Sequence, residues 1–211
     1  MPATHETIYE GVVNGHISAV SESVKQALEA GHEAELILKE ALIPAMTEVG
    51  RLYEAGEYFV PEMLMAAKAM KAGMEILRPC LVDAAVEPAG KVIIGTVQGD
   101  LHDIGKNLVG MMMEGAGFDV VNLGADVPAE DFVQAVLDHE PDILALSALL
   151  TTTMPQQRAV VASLREAGVC DRIKIMVGGA PVTKEFADEI GADGYAPGAG
   201  SAAALAKKLI A

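Results

Sequence analysis

From Lys91 onward, short apolar runs alternate with segments long enough to form helices. This alternation is typical of β-α-β units, in which parallel strands are buried between layers of helices. Glycine and proline residues separate the runs and indicate where strands and helices end. The pattern predicts five strands in the order 2-1-3-4-5, at residues 92–97, 118–123, 143–146, 173–177 and 194–196.

The preceding part of the chain follows a different pattern. Between Glu6 and Val86 the apolar residues recur at helical spacing, and glycine-containing turns separate four segments. The last segment opens at Pro61, a residue favoured in the first helical turn, and has an Ala/Met-rich face that would allow close packing. We therefore predict an α/β protein in which residues 1–88 form a four-helix bundle and residues 91–211 form a flavodoxin-like (Rossmann-type) sheet domain.

Composition narrows the functional classes. The formal charge of -15 argues against a nucleic-acid partner, because phosphate binding needs clustered Lys and Arg residues. No signal sequence and no apolar run of membrane-spanning length are found, so we expect no membrane partner and a cytoplasmic location. Cys80 and Cys170 lack the spacing of a disulfide framework or zinc site.

The loop after the first strand carries the most informative side chains. It reads Asp100-Leu101-His102-Asp103-Ile104-Gly105-Lys106-Asn107 and lies where open α/β sheets bind ligands. An imidazole with a carboxylate two residues away can act as a metal ligand, provided that a cofactor supplies the other ligands. The alternative is an ordinary loop histidine followed by a helix-capping Asp103. A phosphate-binding loop is disfavoured, because the glycine spacing is too long and Asn107 replaces the required hydroxyl.

Two later loops would lie at the same edge of the sheet. Residues 147–153 after the third strand are rich in hydroxyl groups, which could also cap the next helix. Gly178 and Gly179 follow the fourth strand and would let a bulky group approach the backbone, although glycine pairs are common in turns.

These motifs together resemble the cobalamin-binding domains of corrinoid-dependent methyltransferase systems, including methionine synthase and the methanol- and methylamine-type corrinoid proteins. Asp100, His102 and Gly105 match the D-x-H-x-x-G signature, and Ser147 with Leu149 matches its Ser-x-Leu run. The resemblance implies that His102 is the lower ligand of cobalt, linked through Asp100 to the hydroxyl of Thr153, where methionine synthases typically carry serine. It also implies corrinoid-binding roles for Gly99, Asp100, Leu101, His102, Asp103, Ile104, Gly105, Ser147, Leu149, Thr151, Gly178 and Gly179, and on a looser match for Tyr195 and Ala199.

The helical half is similar to the cap that precedes the corrinoid domain in this family. Residues 56–70 resemble the junction between the third and fourth cap helices, and Tyr53 and Val60 align with residues that cover the upper face of the corrin. Without that resemblance, an apolar Met/Ala stripe is more often the core of a bundle.

The resemblance implies a corrinoid protein that binds cobalamin through His102 in place of the cofactor's own base. It would carry a methyl group through a Co(I)/methyl-Co(III) cycle. A TIM barrel needs about 250 residues, so a substrate-specific barrel methyltransferase is expected on another polypeptide. A second methyltransferase to tetrahydrofolate or a thiol is also expected, and a reactivation protein is possible. The alternatives are an adenosylcobalamin-dependent mutase subunit and a cobalamin-binding sensor or interaction domain.

Overall fold

The computed structural model describes residues 2–211, and the chain divides into two compact units. One unit contains the residues through Glu87 together with Gly115–Gly117. The other contains Pro88–Glu114 and Phe118–Ala211.

The first unit is helical throughout. Its four helical stretches agree with the four that the sequence predicts, and the third stretch contains a π-turn. The helices are α1 (Ala3–Val13), α2 (Ile17–Glu29), α3 (Ala34–Ile37), the π-turn (Leu38–Leu42), α4 (Ile43–Glu54) and α5 (Val60–Asp83).

The π-turn was not predicted, and Pro44 explains its position. The N–H of Ile43 bonds to the carbonyl of Leu38, five residues back, and the next residue is Pro44 in the first turn of α4. Proline has no N–H, so the ordinary hydrogen bond from position 44 to Glu40 cannot form. The helix widens locally and continues beyond the proline.

Close packing of the helical unit depends on small residues. A Cβ atom at Gly73 of α5 would lie 3.2 Å from the Val20 side chain of α2, so a larger residue there would need its neighbours to shift by a few tenths of an ångström. Pro61 lies in the first turn of α5, and the Glu62 carboxylate accepts the Phe59 N–H at 3.0 Å. The interior includes Ile8, Val20, Ile37, Leu42, Met46, Met63 and Leu77.

The second unit is a five-stranded parallel sheet in the order β2-β1-β3-β4-β5, which confirms the predicted fold class and strand order. The strands are β1 (Lys91–Thr96), β2 (Asp119–Asn122), β3 (Ile143–Ser147), β4 (Lys174–Gly178) and β5 (Gly194–Tyr195). The intervening helices are α6 (Ile104–Gly115), α7 (Ala129–His139), α8 (Met154–Glu166), α9 (Lys184–Ile190) and α10 (Ala199–Ile210), with a short 3-10 turn at Cys170–Arg172.

The central strands are buried along their length because helices cover both faces of the sheet. Gly95 in β1 makes room for one of these helices, since a Cβ atom there would lie 2.6 Å from the ring of Phe132 in α7. Thr183 caps the N-terminus of α9, and its hydroxyl accepts the Phe186 N–H. No helix among residues 2–211 has the length and apolar character needed to span a bilayer.

Candidate functional site

Strand register brings three predicted loops together at the carboxyl edge of the sheet. Thr96 at the end of β1 is level with Ser147 of β3, and Ser147 is level with Gly178 of β4. Backbone bonds extend this alignment past the strand ends, from Val97 N–H to Ser147 O and from Ala148 N–H to Gly178 O. The loops after β1, β3 and β4 therefore start side by side.

Asp100 is the centre of this edge. It is fully buried, and four donors surround its carboxylate. Oδ1 accepts the His102 N–H at 3.0 Å and the His102 Nδ1–H at 2.7 Å. Oδ2 accepts the Leu149 N–H and the Thr153 hydroxyl, both at 2.7 Å.

These bonds determine the charge of Asp100. Burial alone would raise the pKa of its carboxyl group, because the low-dielectric interior disfavours the ion. The hydrogen bonds from Thr153, Leu149 and His102 outweigh burial and hold the pKa well below its ordinary value. Asp100 is therefore an anion at neutral pH.

The Asp100 anion fixes the orientation of the neighbouring imidazole. A carboxylate accepts hydrogen bonds and cannot donate them, so Nδ1 of His102 carries the proton and Nε2 of the neutral ring has a free lone pair. The side chain is 52% exposed, and no group among residues 2–211 hydrogen-bonds to Nε2. The second nitrogen of this half-exposed ring is thus left without a hydrogen-bond partner in the described part of the chain.

Thr153 combines two local roles through one oxygen. It lies immediately before α8, donates to Asp100 Oδ2 at 2.7 Å and accepts a longer 3.3 Å bond from the Leu150 N–H. The family resemblance suggested a relay of three residues, and the structure shows hydrogen bonds linking His102 to Asp100 and Asp100 to Thr153. Its part in proton movement stays a prediction.

The surroundings fit a large, partly apolar cofactor. A Cβ atom at Gly105 would meet nothing within 4 Å, so there is open space beside the His102 loop. The half-buried Ser147 side chain forms no hydrogen bond within the described residues. Exposed apolar side chains lie nearby, at Leu101, Leu149 and Leu150 in the loops after β1 and β3 and at Ile104 where α6 begins.

The remaining predicted residues occupy varied positions. Gly178 and Gly179 are half-buried, and a side chain at Gly179 would overlap the Ala148 carbonyl oxygen. Thr151 is exposed, Gly99 has a positive φ of 81°, and Asp103 accepts the Asn107 side-chain amide at 2.9 Å. Tyr195 ends β5, and Ala199 begins α10. Tyr53 lies in α4 and Val60 begins α5, both half-buried, and their role as a cover stays a prediction.

The structure adds two residues that position the His102 loop and that sequence reasoning missed. The buried Thr96 hydroxyl donates to the His102 carbonyl at 3.1 Å. Asp126, from the loop after β2, accepts the Gly99 N–H at 2.7 Å. The only available signal for Asp126 was its place in a turn-forming segment that starts at Gly124.

Gln157 is a further residue that sequence reasoning missed. It is fully buried in α8, and its amide nitrogen donates to the carbonyls of Leu146 and Gly178, both at 3.0 Å. It therefore ties the ends of β3 and β4 together. Its amide oxygen is buried with no hydrogen-bond partner in the described structure.

The ligand chemistry of this site needs a cofactor that brings its own donors. Within the described part of the chain, no three His, Cys, Asp or Glu side chains come together as metal ligands. A single imidazole held by a buried carboxylate is suited to a metal whose other positions are filled by a macrocycle. The donor set therefore fits a corrinoid.

Comparison with known proteins gives the same class. Two family models, each described as a B12 binding domain, match residues 90–206 and 4–78. The chain is 42% identical over 208 residues to dimethylamine corrinoid protein 3 of Methanosarcina acetivorans, covering 97% of this chain and 98% of that one.

Solved structures agree across the full length. A cobalamin-binding protein from Desulfitobacterium hafniense matches with a TM-score of 0.83 and 30% identity, covering 98% of both chains. The methanol:cobalamin methyltransferase complex MtaBC of Methanosarcina barkeri matches with a TM-score of 0.86 and 33% identity, covering 99% of this chain and 80% of that one.

Fold and site thus define a two-unit B12-binding protein. The chain belongs to the family of corrinoid proteins that serve methyltransferase systems. The predicted family and the corrinoid cofactor are therefore confirmed.

Proposed function

We propose that this chain carries a methyl group between methyltransferase proteins, with His102 as its single protein ligand to the corrinoid cobalt. The observation that carries the proposal is the Asp100–His102 pair, in which Nδ1 bonds to the carboxylate and Nε2 of the half-exposed ring has no hydrogen-bond partner within the described residues. When bound, a corrinoid supplies a cobalt centre that accepts and releases methyl groups.

The chain's own residues orient and hold the imidazole. Asp100 keeps a proton on Nδ1 of His102, and the Thr96 hydroxyl holds the loop by its carbonyl. A carboxylate partner of this kind raises the basicity of the ligand nitrogen. Proton uptake by the hydrogen-bonded series with Thr153 would favour release of His102 from the metal.

The other residues expected at the cofactor act by shape and by hydrogen bonding. Gly105 leaves space beside the loop, and Ser147 offers an unpaired hydroxyl at the end of β3. Gly178 and Gly179 are proposed to present bare backbone to the nucleotide tail, and Tyr53 and Val60 to shield the reactive face.

The partners are proposed from the relatives. The MtaBC structure is a methyltransferase complex, so a corrinoid protein of this fold associates with a methyltransferase there. The relatives named for dimethylamine suggest a methylamine-class donor for this chain. We propose three partners: a barrel methyltransferase, a second methyltransferase acting on tetrahydrofolate or a thiol, and a reactivation protein. A cytoplasmic location stays a prediction of the sequence.

The test is the visible spectrum of the full chain incubated with hydroxocobalamin and desalted. We expect retained cobalamin whose spectrum shows histidine in place of the cofactor's base, and loss of that feature in His102→Ala. His139→Ala is the matched control, because His139 is exposed at the end of α7 in the same unit. Retained cobalamin with identical spectra in all three proteins would remove His102 from the ligand role.

A further inference from the structure

A second group of ligand-type side chains lies in the helical unit, and the methyl-carrier function does not use it. His5 of α1 is 1% exposed, and its two ring nitrogens contact different partners. Nδ1 is 3.0 Å from Oε2 of Glu40 in the π-turn, and Nε2 is 3.0 Å from Nδ1 of His32. The His5 and His32 rings are tilted by 58° with centroids 5.0 Å apart.

The Glu40 carboxylate determines the protonation pattern of the pair. An ionised carboxylate only accepts, so the proton on His5 stays on Nδ1. Nε2 of a neutral His5 is then a lone pair directed at His32, and the 3.0 Å contact needs a proton on Nδ1 of His32. A carboxylate that orients an imidazole from behind is the arrangement that supports histidine ligands in metal sites.

We propose that Nε2 of His5 and Nδ1 of His32 form a binding site for a divalent first-row transition-metal ion. Imidazole nitrogens lie about 2.0–2.1 Å from such an ion, which places two adjacent ligands roughly 2.9–3.4 Å apart. The observed separation of 3.0 Å falls in this range. To bind the ion, each ring would turn so that its lone pair points at the metal instead of at the other ring, and the shared proton would move to Nε2 of His32.

The surroundings favour a cation. A hollow of about 870 Å³ adjoins the pair, and its charged side chains are the carboxylates of Glu33 and Glu40. Lys and Arg are absent from its described lining. Since no third protein ligand stands beside the pair among residues 2–211, the remaining coordination positions belong to water.

Ligand chemistry identifies the class of ion. Two imidazoles select Cu²⁺, Ni²⁺ or Zn²⁺, whereas Mg²⁺ and Ca²⁺ prefer oxygen ligands. The bound ion would join α1 to the segment before α3, because His5 and His32 come from these two places. An ion that binds the folded state and not the unfolded state would raise the thermal stability of the chain.

The primary test is calorimetric titration of the tag-free full chain with NiCl₂. We expect one site per chain that is lost in His32→Gln, with at least a tenfold drop in affinity. His16→Gln is the matched control, since His16 is an exposed histidine of the same unit. His102→Ala separates this site from the corrinoid ligand and should keep it. Nickel binding that survives His32→Gln, or that disappears in His102→Ala, overturns the proposal.

A second measurement keeps the proposal testable if a variant folds poorly. Glu40→Ala changes a half-exposed residue and should weaken nickel binding about tenfold, as loss of an orienting carboxylate does. NiCl₂ should raise the unfolding temperature of the wild-type chain and of His16→Gln, and should leave that of His32→Gln unchanged. An equal rise with MgCl₂ would indicate carboxylate binding and overturn the imidazole site.

Discussion

Asp100 is a fully buried carboxylate that keeps its charge because four donors surround it. An unpaired charge in such a place would cost several kcal/mol. Two of the donors come from His102, and the other two come from the loop after β3. The same bonds that stabilise the anion therefore also hold the imidazole and join two loops of the site.

Replacing Thr153 by Val removes one of the four hydrogen bonds to Asp100 and so measures its contribution to stability. The change keeps the shape and removes the hydroxyl that donates to Asp100 at 2.7 Å. A hydrogen bond to a buried charge is worth about 1.5–3 kcal/mol, so we expect a loss of that size in the free energy of unfolding at pH 7. Urea unfolding measures this loss of free energy. Thr152→Val is the control, because Thr152 is the neighbouring residue and is exposed.

The pH dependence of the Thr153→Val effect gives a second check. The lowered pKa of Asp100 stabilises the fold above the ordinary aspartate value of about 3.9, and this stabilisation is lost as the pH falls below it. Wild type and Thr153→Val share the same unfolded state, so the difference between them changes only where Asp100 is protonated in one folded protein and not in the other. Loss of the hydroxyl raises the folded-state pKa of Asp100 toward its ordinary value, so the difference should shrink only as the pH falls below that value. A difference that stays constant would mean that the hydroxyl acts through Leu150 instead.

Gly105→Ala should separate folding from cofactor binding. The new methyl group would meet no protein atom within 4 Å, and alanine favours helix by about 0.5–1 kcal/mol over glycine. We expect an equal or higher unfolding free energy and about tenfold weaker cobalamin retention, measured by equilibrium dialysis. Gly110 lies in the same helix, and a Cβ atom there would be 3.9 Å from the Val120 side chain, an ordinary contact. Gly110→Ala should therefore not weaken cobalamin retention. Unchanged retention in Gly105→Ala would argue against a cofactor beside this loop.

At the scale of elements, the ends of β3 and β4 are held together more tightly than strand pairing requires. Gln157 of α8 bonds to carbonyls at both strand ends, and Ala148 bonds to Gly178. The turn after β4 also lies so close to Ala148 that a side chain at Gly179 cannot fit. This edge of the proposed cofactor site is consequently closely packed and joined by hydrogen bonds from two elements.

A pair of glycine substitutions measures the tightness of this edge. Gly179 and Gly124 both have positive φ, 126° and 90°, backbone conformations that alanine rarely adopts. A Cβ atom added at Gly124 would meet nothing within 4 Å, whereas one added at Gly179 would overlap the Ala148 carbonyl oxygen. We expect Gly179→Ala to lose about 1–3 kcal/mol more unfolding free energy than Gly124→Ala. Equal losses in chemical denaturation would mean that the contact yields easily.

At the scale of the whole molecule, charge is the dominant property. The chain has 30 acidic and 15 basic side chains, for a formal charge of -15. Several ion pairs are exposed and contribute little individually, such as Lys184 with Asp188 and Arg158 with Glu189. Repulsion among the excess carboxylates therefore opposes the compact state.

Salt should relieve this repulsion. Raising NaCl from about 0.01 to 0.3 M shortens the screening length from about 30 Å to below 10 Å. We expect the thermal midpoint at pH 7.5 to rise over this range, as followed by circular dichroism. Near pH 4.6, where the chain is close to neutral, the rise should be much smaller. A midpoint that does not change with salt at pH 7.5 would show that repulsion is unimportant.

The sequence by itself determined the order of helices and strands, the strand order of the sheet and the Asp100–His102 pair. These features are local or periodic: apolar spacing reports which faces are buried, and a two-residue spacing lets a carboxylate reach the neighbouring imidazole. Resemblance to a family added Thr153, which is 53 residues from Asp100.

Only the tertiary structure determined contacts between residues far apart in the chain whose side chains follow no periodic pattern. The Leu149 N–H on Asp100, the Gln157 bridge and the contact of His5 with Glu40 and His32 are of this kind. Each depends on the direction of one hydrogen bond after the chain has folded. The sequence therefore specified the framework and the hydrogen-bonded Asp100–His102 pair, and packing decided which distant groups contact them.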